Sequence, residues 1–296
     1  MADARLAQAA PAAGTPRGRS WFRILRSSPR TLIGALFLVV IVFAAVFADH
    51  LAPYPPNQQN LRNRLKPPSA EYLLGTDHFG RDILSRIIHG GRVSMQVGFI
   101  AVGIALVVGG LMGLLAAFYG RWVDTSVSFV VDVLLALPGF LLALAIVAAL
   151  GPSLTNVMIA VGIANVPQFA RITRSAVLQV IEMDYVTAAQ AAGSLDWRIM
   201  FKHVLPNSLS PVIVQVTLSL AGAILSAAGL SFLGLGAQPP TAEWGSMLNS
   251  ARPYIRDAHW AVTFPGVAIV ITVLALNMVG DGLRDALDPR RTVDRG

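Results

Sequence analysis

Apolar runs of membrane-crossing length recur through this chain, and they leave few folds open to it. A helix needs about 20 mostly apolar residues to cross the hydrocarbon core of a bilayer. Runs of that order occupy residues 31–48, 93–119, 126–150, 209–236 and 262–280, and a shorter, gapped one covers 157–170. Of the 296 residues, 54% are hydrophobic and only 13% charged, whereas soluble domains carry roughly 25% charged residues. The reading is an all-α polytopic membrane protein with six transmembrane helices. Cysteine is absent, which removes disulfides, thiolate nucleophiles and Cys-based metal sites from consideration. The net charge of +7 raises the question of nucleic acid. The excess sits at segment ends, where membrane topology uses it, so no nucleic-acid partner is expected.

Taken in order, residues 1–30 read as a cytoplasmic tail, Ala-, Pro-, Gly- and Arg-rich and without periodicity. Residues 31–48 form the first transmembrane helix. A cleaved signal peptide is the rival, with 46–48 as its cleavage site, but eighteen apolar residues exceed the usual signal core of about 7–15. Residues 49–92 form an external loop broken by Pro53, Pro55, Pro56, Pro67 and Pro68. Within it, Thr76 or Asp77 is expected to cap an interfacial helix. Its apolar face holds Ile83, Leu84, Ile87 and Ile88, and Gly90-Gly91 ends it. His78 and His89 lack a ligand constellation, so no metal site is expected there. Residues 93–280 form a five-helix core. Two of its helices carry small residues at every fourth position: Ala101, Ala105, Gly109, Gly113 and Ala117, then Ser219, Ala223, Ala227 and Ser231. Such stripes let helices approach closely. Pro138-Gly139 predicts a kink in the third span, and Trp244 and Trp260 fit an interfacial belt. Residues 281–296 are a second cytoplasmic tail. With both termini inside, fifteen Lys and Arg lie inside and eight outside, in agreement with the positive-inside rule.

Between the fourth and fifth spans lies a polar island, residues 184–207, reading DYVTAAQAAGSLDWRIMFKHVLPN. Ala188, Ala189, Ala191 and Ala192 favour a short helix that Gly193 closes. Ser194 suits the cap of a second short helix, with Asp196 placed well against its N-terminal dipole. Pro206 stops that helix or starts the next. The small-faced shape suits insertion into a groove on a soluble partner.

This island resembles the EAA loop of ABC-importer permeases. Thr187-Ala188-Ala189, Gly193 and Leu205-Pro206 fall on that loop's spacing, with Thr187 in place of its Glu and His203 in place of an aliphatic residue. Three further stretches agree in order: GTDHFGRDILSR from Gly75, GLSFLGLGAQPPTAEWG from Gly229 and GDGLRDALDP from Gly280. Together they look like the C-type permease subunit of the peptide/nickel ABC-importer family, with most similarity to dipeptide permeases. The resemblance implies a type I importer fold in the bacterial cytoplasmic membrane, with both termini cytoplasmic. It implies a heterodimer with a second, homologous permease subunit, two ATPase subunits below and an extracytoplasmic solute-binding protein, all set among membrane lipid. Thr187, Ala188, Ala189, Gly193, Asp196, Leu205 and Pro206 become the ATPase-coupling residues. No cofactor is expected on this chain; ATP and Mg belong to the ATPase partners. Short peptides are the expected cargo, with glutathione-like compounds and nickel complexes as alternatives.

Absences in the sequence point the same way. No GxxxxGK[ST] loop and no HExxH occurs, and no Ser/His/Asp set converges on one side of the membrane. The chain therefore reads as a non-catalytic subunit. A secondary transporter, the competing class, needs ionisable groups inside the bilayer at about 2.5–3.5 kcal/mol each. Only Asp132 lies within the spans, near the cytoplasmic end of its helix. The expected pathway lining is amide and hydroxyl instead: Asn165 and Gln168 in the gapped span, with Gln215, Ser219 and Asn277 in the fifth and sixth.

Overall fold

The computed structural model describes residues 28–287. The tails expected at residues 1–30 and 281–296 lie largely outside that range. Among the described residues the chain is helical with no strand. The helices are α1 (Pro29–Val46), α2 (Ile83–Tyr119), α3 (Arg121–Leu135), α4 (Gly139–Leu150), α5 (Leu154–Ile181), α6 (Asp184–Ala191), α7 (Leu205–Phe232), α8 (Trp244–Ala251) and α9 (Trp260–Leu287). Single turns occur at Ala48–Leu51, Leu61–Asn63, Asp196–Arg198 and Arg252–Tyr254.

At the centre α2 lies along α5, with α7 and α4 closing around them. The first small-residue stripe explains this pairing. A Cβ on Gly109 would stand 2.5 Å from the Val166 carbonyl oxygen, and one on Gly113 would stand 2.3 Å from that of Ala170. Only glycine lets the two backbones meet so closely. The stripe is thus an interface within this chain. The second stripe is also buried: Ser219, Ala223, Ala227 and Ser231 all face neighbouring helices. Peripheral α1 leans on α9, where a Cβ on Gly34 would meet the Met278 Cβ at 2.6 Å. Its opposite face, with Leu36, Val39 and Phe43, is exposed and apolar, as lipid contact demands.

Three helix boundaries differ from the sequence reading. Gly90-Gly91 does not end a helix, because α2 runs through it for 37 residues. At 1.5 Å per residue α2 is about 55 Å long, beyond the ~30 Å hydrocarbon core. The glycines serve a different purpose: Cβ atoms there would press on the Trp244 indole at 3.1 Å. The cap of that helix is neither Thr76 nor Asp77. It is Asp82, which accepts from the Ser85 N–H at 2.8 Å, so the separate interfacial helix does not exist. At Pro138 the third span breaks outright. Pro138 is extended, and α3 and α4 meet at 85°.

Among the described residues, four helical segments are long and apolar enough to span: α1, α2, α9, and α7 with the turns that lead into it. The bent α3–α4 pair makes a fifth if it crosses as one unit. α5, the remaining expected span, has sufficient length at 28 residues but carries Asn165, Gln168, Arg171 and Arg174. Its apolarity falls short of the others for that reason.

Candidate functional site

α6 and the residues after it form a small module at one end of the bundle. The Gly193 N–H bonds the Gln190 carbonyl at 2.9 Å and the Ser194 N–H bonds that of Ala189 at 3.1 Å. This is a Schellman closure, and Gly193 takes the positive φ of +72° that it requires. Ser194 therefore spends its backbone on ending α6, and its hydroxyl caps nothing. The following turn starts from Leu195 without a side-chain cap. No second, separate short helix follows. Residues 196–198 pass into a π-turn, Ile199–Val204, and this continues directly into α7 with Pro206 in its first turn.

One face of the module is fixed to the bundle. Val186, Ile199, Met200 and Val204 are buried against Leu114 and Ala117 of α2 and Val177 and Val180 of α5. Each such aliphatic burial contributes about 1.5–3 kcal/mol. The other face is open. Thr187, Ala188, Gly193, Asp196 and Pro206 are exposed, while Ala189 and Leu205 are half-buried. The expectation of a low-profile surface holds only for the alanines. Leu195 is 65% and Trp197 62% exposed, and Phe201 and Tyr185 stand out beside them. These four escaped the sequence reading. Large apolar side chains inside a charged stretch were the available signal.

The expected pathway residues divide into three groups. Gln215 Nε2 donates to the side-chain Oε1 of Gln168 at 3.2 Å and to the Ser219 hydroxyl at 2.9 Å, joining α5 to α7. Gln168 is exposed and Gln215 half-buried, so this cluster opens at the bundle surface. Asn165 instead turns back on its own helix, donating to the Val161 carbonyl at 2.7 Å. Asn277 is half-buried on α9 and is not drawn into the cluster. Nearer the module, Arg174 grips Asp124 through two hydrogen bonds of 2.6 Å, and Arg171 reaches Asp132 at 2.8 Å. The one ionisable group expected within the spans thus has a counter-charge.

At the far end of the bundle, residues 52–82 fold over the start of α2 and meet the segment before α8. Trp244 and Trp260 are buried here and form no exposed belt. Their indole N–H groups donate to the carbonyls of Ile87 at 3.0 Å and Thr76 at 3.3 Å. Glu243 caps α8, accepting from the N–H groups of Gly245 at 2.9 Å and Ser246 at 2.8 Å, and from the Ser94 hydroxyl at 3.2 Å. Burial pushes the Glu243 carboxyl up despite those donors. A raised folded value means that its contribution to stability is complete below the unfolded pKa and is lost as pH rises through the folded one. The melting temperature of Glu243→Gln relative to wild type should therefore climb as pH rises above the ordinary value of 4.5. A pH-independent difference between the two proteins would refute this.

The described residues thus form a bundle of long apolar helices with an exposed aromatic module at one end, continuous with a helix long and apolar enough to cross a membrane. The chain belongs to the family described as binding-protein-dependent transport system inner membrane component, whose model matches residues 105–293. Residues 16–68 match the N-terminal TM domain of oligopeptide transport permease C. The chain is 50% identical to the dipeptide transport system permease protein DppC of Alkalihalophilus pseudofirmus, covering 92% of this chain and 90% of that one. It is 52% identical to the di/tripeptide transport system permease protein DppC of Pseudomonas aeruginosa, over 87% of each. It is 43% identical to the glutathione transport system permease protein GsiD of Pectobacterium atrosepticum, over 93% and 92%. Among solved structures, a chain of the inward-facing MetNI methionine ABC transporter shares the fold. That match has a TM-score of 0.57 and 19% identity, covering 70% of this chain and 98% of that one. The protein is a multi-pass inner-membrane permease subunit of an ABC importer, a family that works with ATPase and binding-protein partners.

Proposed function

We propose that this chain is half of the translocation pathway for ATP-driven uptake of dipeptides and short oligopeptides. It pairs with a second, homologous permease subunit. Two ATPase subunits that carry ATP and Mg dock on residues 184–206, and an extracytoplasmic solute-binding protein meets the opposite cap. Both termini and the module lie in the cytoplasm, and α5 crosses the membrane as the sixth span. The chain itself catalyses no reaction.

The observation that carries this reading is the unbroken helical path from the exposed Trp197 turn through the π-turn into α7. A push on the module is thus carried by continuous helix, through the π-turn and past Pro206 and Pro211, into the span. In the mechanism, ATP-driven closure of the ATPase pair displaces residues 184–206 and, with them, α7. The Gln168–Gln215–Ser219 cluster lies on the α5–α7 face that this motion re-aims, so it lines the pathway against the second subunit. Hydrolysis resets the pair. Nucleotide thus biases a two-state element from a distance.

Reconstitution with the partner subunits tests this. Labelled dipeptide should enter liposomes only with ATP, both ATPases and the binding protein. Accumulation by this chain alone on an ion gradient would instead establish a secondary transporter.

A further inference from the structure

Where residues 52–82 meet the segment before α8, a half-open cavity of about 280 Å³ lies between residues 78–86, residues 234–241 and α8. Arg81 and Arg86 both line it, with side chains only 5% and 4% exposed. One carboxylate faces them. Asp77 accepts from Arg81 Nε at 2.6 Å and lies 3.8 Å from Arg86 Nε. Asp77 also accepts the backbone N–H groups of Phe79 and Arg81. Arg86 Nη1 donates to the carbonyl of Pro56 at 2.9 Å, to Asn57 Oδ1 at 3.1 Å and to the Pro240 carbonyl at 3.4 Å.

Among the described residues, Arg81 Nη1 and Nη2 and Arg86 Nη2 donate to no protein atom. They are not sealed off either, since Thr173 Oγ1 is the sole buried side-chain polar atom without a partner among those residues. Their donors therefore open into the cavity. The Arg81 guanidinium lies over the Phe79 ring, 4.7 Å from its centroid, yet two guanidinium groups against one carboxylate leave a net positive charge at the cavity. A planar anion would balance that charge, because guanidinium forks match a carboxylate in bidentate fashion. Thr241, Asn249 and Ser250 add neutral hydrogen-bonding groups around the wall. Most of the remaining wall surface is apolar, contributed in part by Phe79, Ala237 and Pro239. At about 280 Å³ the cavity has room for a small solute rather than for a lipid with its acyl chains.

We propose that this cavity binds the free carboxylate of a small solute of dipeptide size through the open N–H groups of Arg81 and Arg86. It rests on the import reading only for the choice of a peptide as probe. Binding is read on the full chain without partners, so failure of binding and failure of transport are distinguishable. The experiment uses the full chain in phosphatidylcholine nanodiscs, titrated with dialanine and with dialanine amide. Dialanine should bind saturably, and the amide about tenfold more weakly or not at all. Arg81→Gln should weaken dialanine binding about tenfold. Ser250→Trp, which fills the cavity without touching its charges, should abolish binding at an unchanged melting temperature. Equal binding of the amide, absence of saturable binding, or indifference to both substitutions would overturn the proposal. So would loss of dialanine binding in phosphatidylglycerol nanodiscs, which would assign the site to a lipid phosphate.

Discussion

A Trp197→Glu variant is expected to fold and accumulate as wild type does, and to lose nearly all ATP-driven uptake. The side chain is 62% exposed, so its removal takes nothing from the core. In the assembled transporter it would fill a groove on the ATPase. Central interface tryptophans typically carry about 2–4 kcal/mol, equivalent to roughly 30- to 1,000-fold in affinity. A buried, unpaired glutamate adds a desolvation penalty to that loss. Co-purification of the ATPase subunits with the variant gives the direct measure, and the melting temperature of the isolated chain is the control. Normal ATPase retention and uptake would remove Trp197 from the docking face and would weaken the import mechanism built on it.

A large effect on folding is expected at Gly113. A side chain there meets backbone on α5: the Ala170 carbonyl oxygen at 2.3 Å and the Arg174 nitrogen at 2.8 Å. Backbone inside a packed helix pair cannot swing aside as a flexible side chain does. Gly113→Leu should cost about 3 kcal/mol, the upper end of ordinary overpacking. For a chain of this size that corresponds to a melting temperature lower by roughly 6–12 °C. Gly103 supplies the comparison, since a Cβ on it would meet nothing within 4 Å. Gly103→Leu should therefore melt within a degree or two of wild type. Equal destabilisation by both substitutions would mean that the α2–α5 approach does not govern the loss, since helix propensity favours leucine over glycine at both positions.

Local chemistry made much of this legible beforehand. The four alanines and Gly193 announced α6 and its left-handed closure, because propensity and backbone conformation are properties of those residues alone. The fourfold spacing of Ala101 to Ala117 announced a close helix contact, though not which helix would fill it. What stayed hidden depended on partners distant in sequence. Gly90-Gly91 has the local signature of a helix end, yet Trp244, more than 150 positions away, rests on it. Asp77 looked like a cap, but its carboxylate is committed to Arg81 and to loop N–H groups. The tryptophans read as amphipathic anchors until the loop of residues 52–82 folded over them. Among the pathway candidates, Gln168, Gln215 and Ser219 converge, whereas Asn165 satisfies itself on its own helix. Periodicity does not distinguish those two fates for a membrane amide.

The π-turn at residues 199–204 has a consequence for timing. One residue along a helix is about 100° of azimuth. The number of residues between Trp197 and the Ser219-to-Ser231 stripe therefore sets the compass bearing of the aromatic cluster relative to the helices that the stripe touches, much as a keyed shaft sets a cam. Related chains can lengthen or shorten loops elsewhere at little cost. An insertion or deletion in these six positions would leave every component present and rotate the input out of phase with the output.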